Sequence, residues 1–201
     1  GRLWSDSLER GVYRTRDGGK TWQQVLKAPN ASTGCASLSM DEKNPDVLYA
    51  ALWDFRRKGW TFRSGGEGPD APSGSGLYRS ADGGKTWNEV TGGGLPAKPY
   101  GRIAVAVAPS NSNVVYAFIE GVKGALFRSD DGGKTWDRRD DSQMMVWRSF
   151  YFANLIVDPA NADRVFKTNL GLIQSLDGGK TFAGTGGAHA DFHDVWIDPA
   201  D

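Results

Sequence analysis

One eight-residue phrase occurs four times in this chain of 201 residues, and no other feature limits the fold as strongly. Each copy has a Ser or Thr, an Asp two residues later, two glycines, a Lys, a Thr and an aromatic residue. The copies occupy residues 15–22, 80–87, 129–136 and 175–182. Repetition of this kind indicates an architecture built from copies of one supersecondary unit.

The spacing of the copies gives the length of that unit. The Asp residues of successive copies lie 65, 49 and 46 residues apart. The two shorter intervals fit a blade of four short strands, which takes roughly 40 to 50 residues, and the longer one indicates an insertion. A second phrase, here called the proline phrase, repeats out of phase with the first at residues 40–49, 107–116 and 157–166, and begins again at 197.

Each unit is predicted to contain four strands. Short β-branched and aromatic runs are bounded by Gly, Pro, Asn and Asp, and no window of 12 or more residues has a helical apolar period. In one unit the strands are predicted at 103–107, 114–119 and 125–129, and in the preceding unit the fourth strand begins at Trp87. The chain is therefore predicted to be all-β, with complete blades at about 23–87, 88–136 and 137–182 and partial blades at 1–22 and 183–201.

The eight-residue phrase predicts a tight turn between the third and fourth strands. Its glycines supply positive φ, its Ser or Thr and its Asp hydrogen-bond backbone amides, and its aromatic ring covers the gap between neighbouring blades. Four equivalent turns cannot all be one active site, so these residues are predicted to be structural. They are Asp17, Trp22, Asp82, Trp87, Asp131, Trp136, Asp177 and Phe182.

The phrase resembles the Asp box, or bacterial neuraminidase repeat, of sialidases, xyloglucan-degrading hydrolases, sortilin-type receptors and photosystem assembly factors. That resemblance implies a β-propeller with the Asp boxes on its outer rim. A ring takes about 4 to 8 blades, so the remaining blades of a larger propeller are expected partners. The N-terminus lacks a signal pattern, but the resemblance implies a secreted or periplasmic location.

The amino-acid composition excludes some classes of binding partner. The 24 basic and 24 acidic residues balance, so no nucleic-acid partner is predicted. No stretch of 18 apolar residues occurs, so no membrane span is predicted. The single cysteine, Cys35, excludes an internal disulfide and is expected to be a small buried strand residue. No cofactor is predicted, although a divalent metal is kept as an alternative below.

Strand parity, meaning the alternation of chain direction from one strand of a blade to the next, predicts which end of the blades carries function. The one-to-two and three-to-four connections lie at one end, which is regular because it holds the proline phrases and the repeated turns. The other connections form an irregular end, and variable loops on a regular scaffold usually carry recognition. Three irregular segments are expected there: the inserted loop 53–76, the strand approach 147–154 and the segment 187–197.

Aromatic and basic residues in the first two segments suit stacking on rings or binding of anions. In 147–154 a strand would place Phe150 and Phe152 on one side and Trp147, Ser149 and Tyr151 on the other. Both segments also fit a packing role alone. Including both histidines of the third segment, the predicted ligand-binding residues are Trp53, Arg56, Arg57, Trp60, Arg102, Trp147, Arg148, Tyr151, His189 and His193.

The third segment also contains the candidate metal-binding and catalytic residues. A strand would put His189, Asp191 and His193 on one face, where they suit a divalent metal or an acid–base cluster. A hydrogen-bonded polar cluster is the simpler interpretation. Asp191, Asp194 and His193 are the catalytic candidates.

The order of the repeated phrases resembles that in sortilin-like propellers of secreted bacterial proteins labelled glycosyl hydrolase. Residues 101–103, 148–152 and 189–196 carry this resemblance. Sialidases of related architecture use an arginine triad with a Tyr–Glu pair. Arg102 and Arg148 are candidates for two of those arginines, but no Phe-Arg-Ile-Pro phrase is present.

Three functions remain open. The first is a recognition scaffold that binds a polypeptide or glycan on the face bearing the 53–76 loop, with aromatic and arginine side chains there. The second is a sialidase-like or xyloglucanase-like glycoside hydrolase with two carboxylates about 5 to 9.5 Å apart at the channel mouth. Asp191 is the first member of such a pair, with Asp194, Asp54 or Glu67 as the second. The third is a metal-dependent hydrolase.

Overall fold

The computed structural model describes residues 4–187 and 189–199, and its strands form four antiparallel sheets. The first sheet contains β1 (Gly11–Arg14) and β2 (Gln23–Lys27). The second contains β3 (Thr33–Met40), β4 (Leu48–Lys58), β5 (Thr61–Ser64), β6 (Gly76–Ser80) and β7 (Asn88–Glu89). The third contains β8 (Ile103–Ala108), β9 (Asn111–Ile119), β10 (Ala125–Ser129) and β11 (Asp137–Asp140). After a short helix α1 (Gln143–Val146), the fourth contains β12 (Leu155–Val157), β13 (Val165–Lys167), β14 (Ile173–Ser175) and β15 (Ala183–Gly184).

The predicted all-β class with four-stranded antiparallel units is confirmed, but the predicted unit boundaries are wrong. The predicted bounds end each blade at its aromatic residue, whereas the strand that follows lies in the same sheet as the strand before it. In the structure β2 pairs with β1, and β7 pairs with β6. The reason is that the Asp-box turn is a hairpin turn, so the strand after it pairs with the strand before it. Among residues 4–187 and 189–199, no helix is long and apolar enough to cross a bilayer.

The core lies between consecutive sheets and follows the two-residue period of the strands. Along β8, Ile103, Val105 and Val107 face the second sheet, whereas Ala104 and Ala106 face the fourth. Strand β9 alternates in the same way and sends the buried rings of Tyr116 and Phe118 towards the fourth sheet. The third sheet is thus apolar on both faces, which explains why its strands are almost continuously hydrophobic.

All four Asp-box turns have one hydrogen-bond pattern. In the third copy the hydroxyl of Ser129 donates to Asp131 at 2.8 Å, and Asp131 accepts from the amide of Thr135 at 2.9 Å and from its hydroxyl at 2.7 Å. Hydrogen bonds from Thr135 and Ser129 hold the pKa of Asp131 well below its usual range. In the first copy, bonds from Thr21 and Thr15 lower the pKa of Asp17 to about 2. These carboxylates are fully used as hydrogen-bond acceptors within their turns.

The Asp-box turns also meet the proline phrases of their own sheets. The amides of Gly83, Gly132 and Gly178 donate to carbonyls of Asp46, Asn113 and Asp163 at 3.0, 2.9 and 2.9 Å. Side chains link two of the turns to the preceding sheet as well. Arg14 donates to the carbonyl of Gly83, and the hydroxyl of Tyr49 donates to the carbonyl of Gly132 at 2.7 Å. The regular end of the blades therefore lies where parity predicts it.

One connection departs from the parity prediction. Residues 91–102 join the second sheet to the third, yet the carbonyl of Gly93 accepts from the amide of Trp136 at 2.7 Å. This loop therefore runs along the outer edge of the third sheet before it reaches β8. A side chain at Gly94 would place a Cβ 2.0 Å from the carbonyl oxygen of Trp136.

The close approach at Gly94 gives a stability prediction with a matched control. Gly92 and Gly94 both have positive φ, at 69° and 106°, but a Cβ at Gly92 would meet nothing within 4 Å. We expect Gly94→Ala to lower the free energy of unfolding by about 1 to 2 kcal/mol more than Gly92→Ala. Urea denaturation of the two variants measures the difference, and equal losses would mean that the loop does not lie against Trp136.

Candidate functional site

Loops from the second and fourth sheets meet at the irregular end, where their rings form a row in two halves. Trp53 and Phe55 lie 4.2 Å apart, Phe55 and Phe62 5.9 Å, and Phe62 and Phe150 4.2 Å between ring centroids. The row continues through two further pairs, Tyr151 with Phe152 at 4.6 Å and Phe152 with His193 at 3.7 Å. The members of this aromatic row are Trp53, Phe55, Phe62, Phe150, Tyr151, Phe152 and His193.

Arg148 joins the two halves of the aromatic row. Its guanidinium carbon lies 5.5 Å from the ring centroid of Phe150, 4.9 Å from that of Tyr151 and 5.9 Å from that of Trp147. A guanidinium within about 6 Å of a ring face is in cation–π range. The side chain is half-buried, and Arg148 has a φ of 50°, in the left-handed region. Such a conformation is uncommon in a residue with a side chain.

The inserted loop is a hairpin that extends the second sheet. Strand β4 continues past its partner β6, and its outer half pairs with β5 from Phe55–Ser64 to Lys58–Thr61. Alternation along β4 sends Trp53 and Phe55 to the aromatic row. Asp54 and Arg56 lie on the opposite side, so the row holds only part of the segment predicted to bind ligand.

The other predicted ligand-binding residues of this hairpin lie apart from the row. Arg56 is buried, where it pairs with Asp6 and donates to the carbonyl of Ser5. The guanidinium of Arg57 lies 5.9 Å from the ring of Trp4. Trp60 is 100% exposed at the hairpin tip. Arg56 is already occupied by its partners, which makes it a structural residue.

The prediction that residues 147–154 enter the next strand in an extended, alternating conformation is wrong. Helix α1 ends at Val146, residues 147–154 form a turn, and the strand begins only at Leu155. Arg148 and Phe152 both have positive φ. The predicted two-sided alternation is therefore absent, and the turn instead gathers Phe150, Tyr151 and Phe152 towards one surface. Trp147 is 48% exposed beside them.

The histidine segment is not a strand either. Residues 189–199 have no assigned strand, and Asp191 has a φ of 84°. Asp191 accepts a hydrogen bond from the hydroxyl of Tyr151 and lies 3.7 Å from Nε2 of His193. His189 instead has its Nδ1 2.9 Å from its neighbour's carbonyl oxygen, and Asp194 accepts from the amide of Val195 at 2.9 Å. Within residues 4–187 and 189–199, no three His, Cys, Asp or Glu side chains are grouped closely enough to hold a metal.

Two cavities border the 53–64 hairpin, one on each side. The larger, of about 730 Å³, lies on the side of Asp54 and Arg56. Three of its charged residues are paired, since Arg63 lies 3.2 Å from Asp54 and 3.3 Å from Glu67. The smaller, of about 540 Å³, is lined by Trp53, Phe55, Cys35 and Arg102 among others. Both volumes are within the usual range for ligand sites.

Cys35 is less buried than predicted. It lies half-buried in β3 at the smaller cavity, and its thiol donates to the carbonyl of Ser37 at 3.3 Å. Burial raises the pKa of this thiol to about 11. The thiol is therefore protonated at neutral pH and unsuited to nucleophilic chemistry.

The carboxylates near the aromatic row are occupied by hydrogen bonds. Asp54 accepts from the side chain of Asn30 at 3.0 Å and from the amide of Gly74 at 3.1 Å. Burial acts to raise the pKa of Asp54, but hydrogen bonds from Ser32 and Asn30 outweigh it and lower the pKa overall. Glu120 accepts from the hydroxyl of Ser64 at 2.5 Å and the amide of Arg102 at 2.6 Å. A general acid needs a raised pKa, so Asp54 is unsuited to that role.

The sequence prediction missed Phe55, Phe62, Asn154, Glu120 and Lys167. Phe62 and Phe150 were visible as members of irregular segments, but only a hairpin and a turn bring them together. Lys167 could have been noticed in the sequence, because a lysine at the end of the apolar run Val165–Lys167 breaks the pattern of a buried strand.

Comparisons with known proteins agree with this fold. The model of the BNR/Asp-box repeat matches residues 13–24, 78–89 and 127–138. A GH74 enzyme from Niastella koreensis gives a TM-score of 0.60 at 19% identity, over 87% of this chain and 26% of the enzyme. The GH74 xyloglucanase from Xanthomonas campestris gives 0.60 at 21% identity, over 87% of this chain and 25% of the enzyme. Comparison with curated protein sequences gave no match.

An ancestral GH74 enzyme is also similar, with a TM-score of 0.54 at 19% identity over 88% of this chain and 21% of that enzyme. The chain thus spans about a quarter of the length of the first two enzymes. At these identities the likeness establishes the fold. The chain therefore contains BNR/Asp-box repeats and has a β-propeller fold, and its blades resemble those of the GH74 enzymes.

Proposed function

We propose that this chain is part of a recognition scaffold, which binds a polypeptide or a glycan across the irregular end of its blades. The observation that carries the proposal is the aromatic row with Arg148 at its centre. It offers ring faces and a cation over loops from two sheets, whereas the nearby carboxylates Asp54, Glu120 and Asp191 already accept hydrogen bonds. The expected extracytoplasmic location remains a prediction from the family resemblance.

Aromatic rings beside arginine side chains are typical of binding surfaces. Such residues are enriched among those that dominate binding energy, and they bind best when water is excluded around them. Sugar rings and peptide side chains can both stack on aromatic ring faces. Phe62 is 38% exposed and Trp147 48%, so part of the surface is open to a ligand.

A glycoside hydrolase is the second candidate, and the fold likeness to GH74 enzymes favours it. It needs two carboxyl groups about 5 to 9.5 Å apart, one of them with a raised pKa. Among the predicted pairs, Asp54 is buried on the far side of the hairpin and has a lowered pKa. Tyr151 donates to Asp191, and this hydrogen bond raises the pKa of Tyr151, so the phenol is not activated as a nucleophile.

The proposal predicts a loss of binding in one variant and its retention in a matched control. Xyloglucan oligosaccharides and a peptide array serve as probes, and titration calorimetry gives the affinity of the ligands that bind. We expect Arg148→Ala to weaken binding at least tenfold, since the row loses the cation that touches three rings. Trp22→Ala removes an exposed ring at the regular end and should leave the affinity unchanged.

Two results would contradict the scaffold. Equal affinities in Arg148→Ala and the parent chain would place the ligand elsewhere. Release of reducing ends from the oligosaccharides, lost in Asp191→Asn while binding is retained, would establish the hydrolase instead.

A further inference from the structure

Lys167 is a buried cation without a counter-charge. It ends β13, its relative exposure is 0%, and its Nζ has no hydrogen-bond partner among the described residues. The ammonium lies 4.9 Å from the ring centroid of Phe118. A lysine is almost never fully buried unless it is paired, because removing its charge from water is costly.

Arg102 adds a second cation at the same place. It immediately precedes β8, and its guanidinium carbon lies 5.0 Å above the ring of Trp53. Its Nη2 donates to the side-chain oxygen of Asn154 at 3.3 Å, but its Nε is buried without a hydrogen-bond partner. Burial and the charge of Arg102 lower the pKa of Lys167 to about 8, and burial lowers the pKa of Arg102.

The charge of Glu120 offsets this pair only in part. Glu120 interacts electrostatically with Arg102, but its contacts are with the hydroxyl of Ser64 and the backbone amide of Arg102. No ion pair within 4.0 Å joins Arg102 or Lys167 to an acid in the part of the chain that the structure describes. The fully buried Lys167 and the half-buried Arg102, neither with a side-chain ion pair in the described ranges, form a pre-organised positive site.

We propose that Arg102 and Lys167 form an anion subsite that takes the carboxylate of a uronic acid residue in an acidic glycan. This inference rests on the proposed recognition function and assigns it a ligand class. Arg102 lines the cavity of about 540 Å³ together with Trp53 and Phe55. Its planar guanidinium presents paired donors to a carboxylate, and the rings beside it suit the face of the attached sugar.

Lys167 acts from behind the cavity wall. It does not line the cavity, so it raises the positive potential at Arg102 without touching the ligand. Other charges on the same cavity do not replace this pair. Arg10 donates to the carbonyls of Ser5 and Ser32, and Glu9 is exposed at the rim.

The test compares two ligands that differ only in charge, namely trigalacturonate and its fully methyl-esterified form. Titration calorimetry of the full chain at pH 7 should show at least tenfold tighter binding of the acid than of the ester. We expect Arg102→Gln and Lys167→Met to remove this preference, while Lys134→Met, an exposed lysine of an Asp-box turn, retains it. Thermal unfolding of each variant confirms that it is folded, and Arg102→Lys provides a charge-preserving second variant.

Each outcome is decisive. Equal affinity for acid and ester in the parent chain overturns the anion subsite, and if both still bind in an Arg148-dependent manner the recognition scaffold stands. A preference that survives in Lys167→Met overturns the role of Lys167. Binding of an acidic peptide such as triglutamate, with no binding of trigalacturonate, overturns the assignment to a glycan.

Discussion

Replacing Lys167 with Met is expected to stabilise the fold by about 2 to 3 kcal/mol at pH 7. The pKa of Lys167 falls from 10.5 to about 8 on folding, and each unit of such a shift corresponds to about 1.36 kcal/mol. Met has a similar length and no charge, so it removes the desolvation cost and retains most of the packing against Phe118. For a domain of this size the change corresponds to a rise in Tm of about 5 to 10 °C.

The pH dependence of this difference follows from the sign of the shift. Below pH 8 the lysine is charged in both states, and the full cost is present. Between pH 8 and 10.5 the unfolded chain binds more protons than the folded one, so the parent chain gains stability as the pH rises. Urea denaturation at pH 7 and pH 10 should therefore show a large advantage of Lys167→Met at the lower pH and a small one at the higher.

A destabilised Lys167→Met variant would mean that the lysine has an internal counter-charge. Lys134→Met serves as the control, because an exposed lysine should change stability by no more than about 0.5 kcal/mol.

Trp136→Ala is expected to destabilise the chain by about 3 to 5 kcal/mol, the largest loss predicted here. The indole is 4% exposed and packs among the side chains buried between the second and third sheets. Its removal leaves a cavity there, and the turn loses the bond from its Nε1 to the carbonyl of Gly133 at 3.2 Å.

Trp22→Ala is the matched control. The ring of Trp22 makes the same bond, from Nε1 to the carbonyl of Gly19 at 3.1 Å, but it is 61% exposed. We expect its replacement to cost less than about 1 kcal/mol. Chemical denaturation of both variants separates the contribution of the turn from that of the packing, and equal losses would show that the Asp-box ring stabilises only its own turn.

The regular half of this molecule was predictable because repetition and alternation act locally. The Asp-box phrase specifies its own turn, since every partner of Asp131 lies within four residues. The two-residue period along β8 likewise follows directly from strand geometry. The division between a regular and an irregular end then follows from connecting such strands in order.

The site was less predictable, because its geometry depends on residues far apart in the chain. Residues 147–154 have the alternation of a strand, but positive φ at Arg148 and Phe152 turns them into a compact loop. The contact between Phe62 and Phe150 joins residues that are 88 positions apart in the sequence. The unpaired state of Lys167 is likewise a property of its surroundings, and spacing along the chain gives no sign of it.

Hydrogen–deuterium exchange in the presence of trigalacturonate tests the central claim, which is that the ligand binds at the irregular end of the blades. The account predicts slower exchange of backbone amides in residues 53–64 and 147–154, and unchanged exchange in the four Asp-box turns. Protection of the Asp-box turns, with residues 147–154 unaffected, would contradict it.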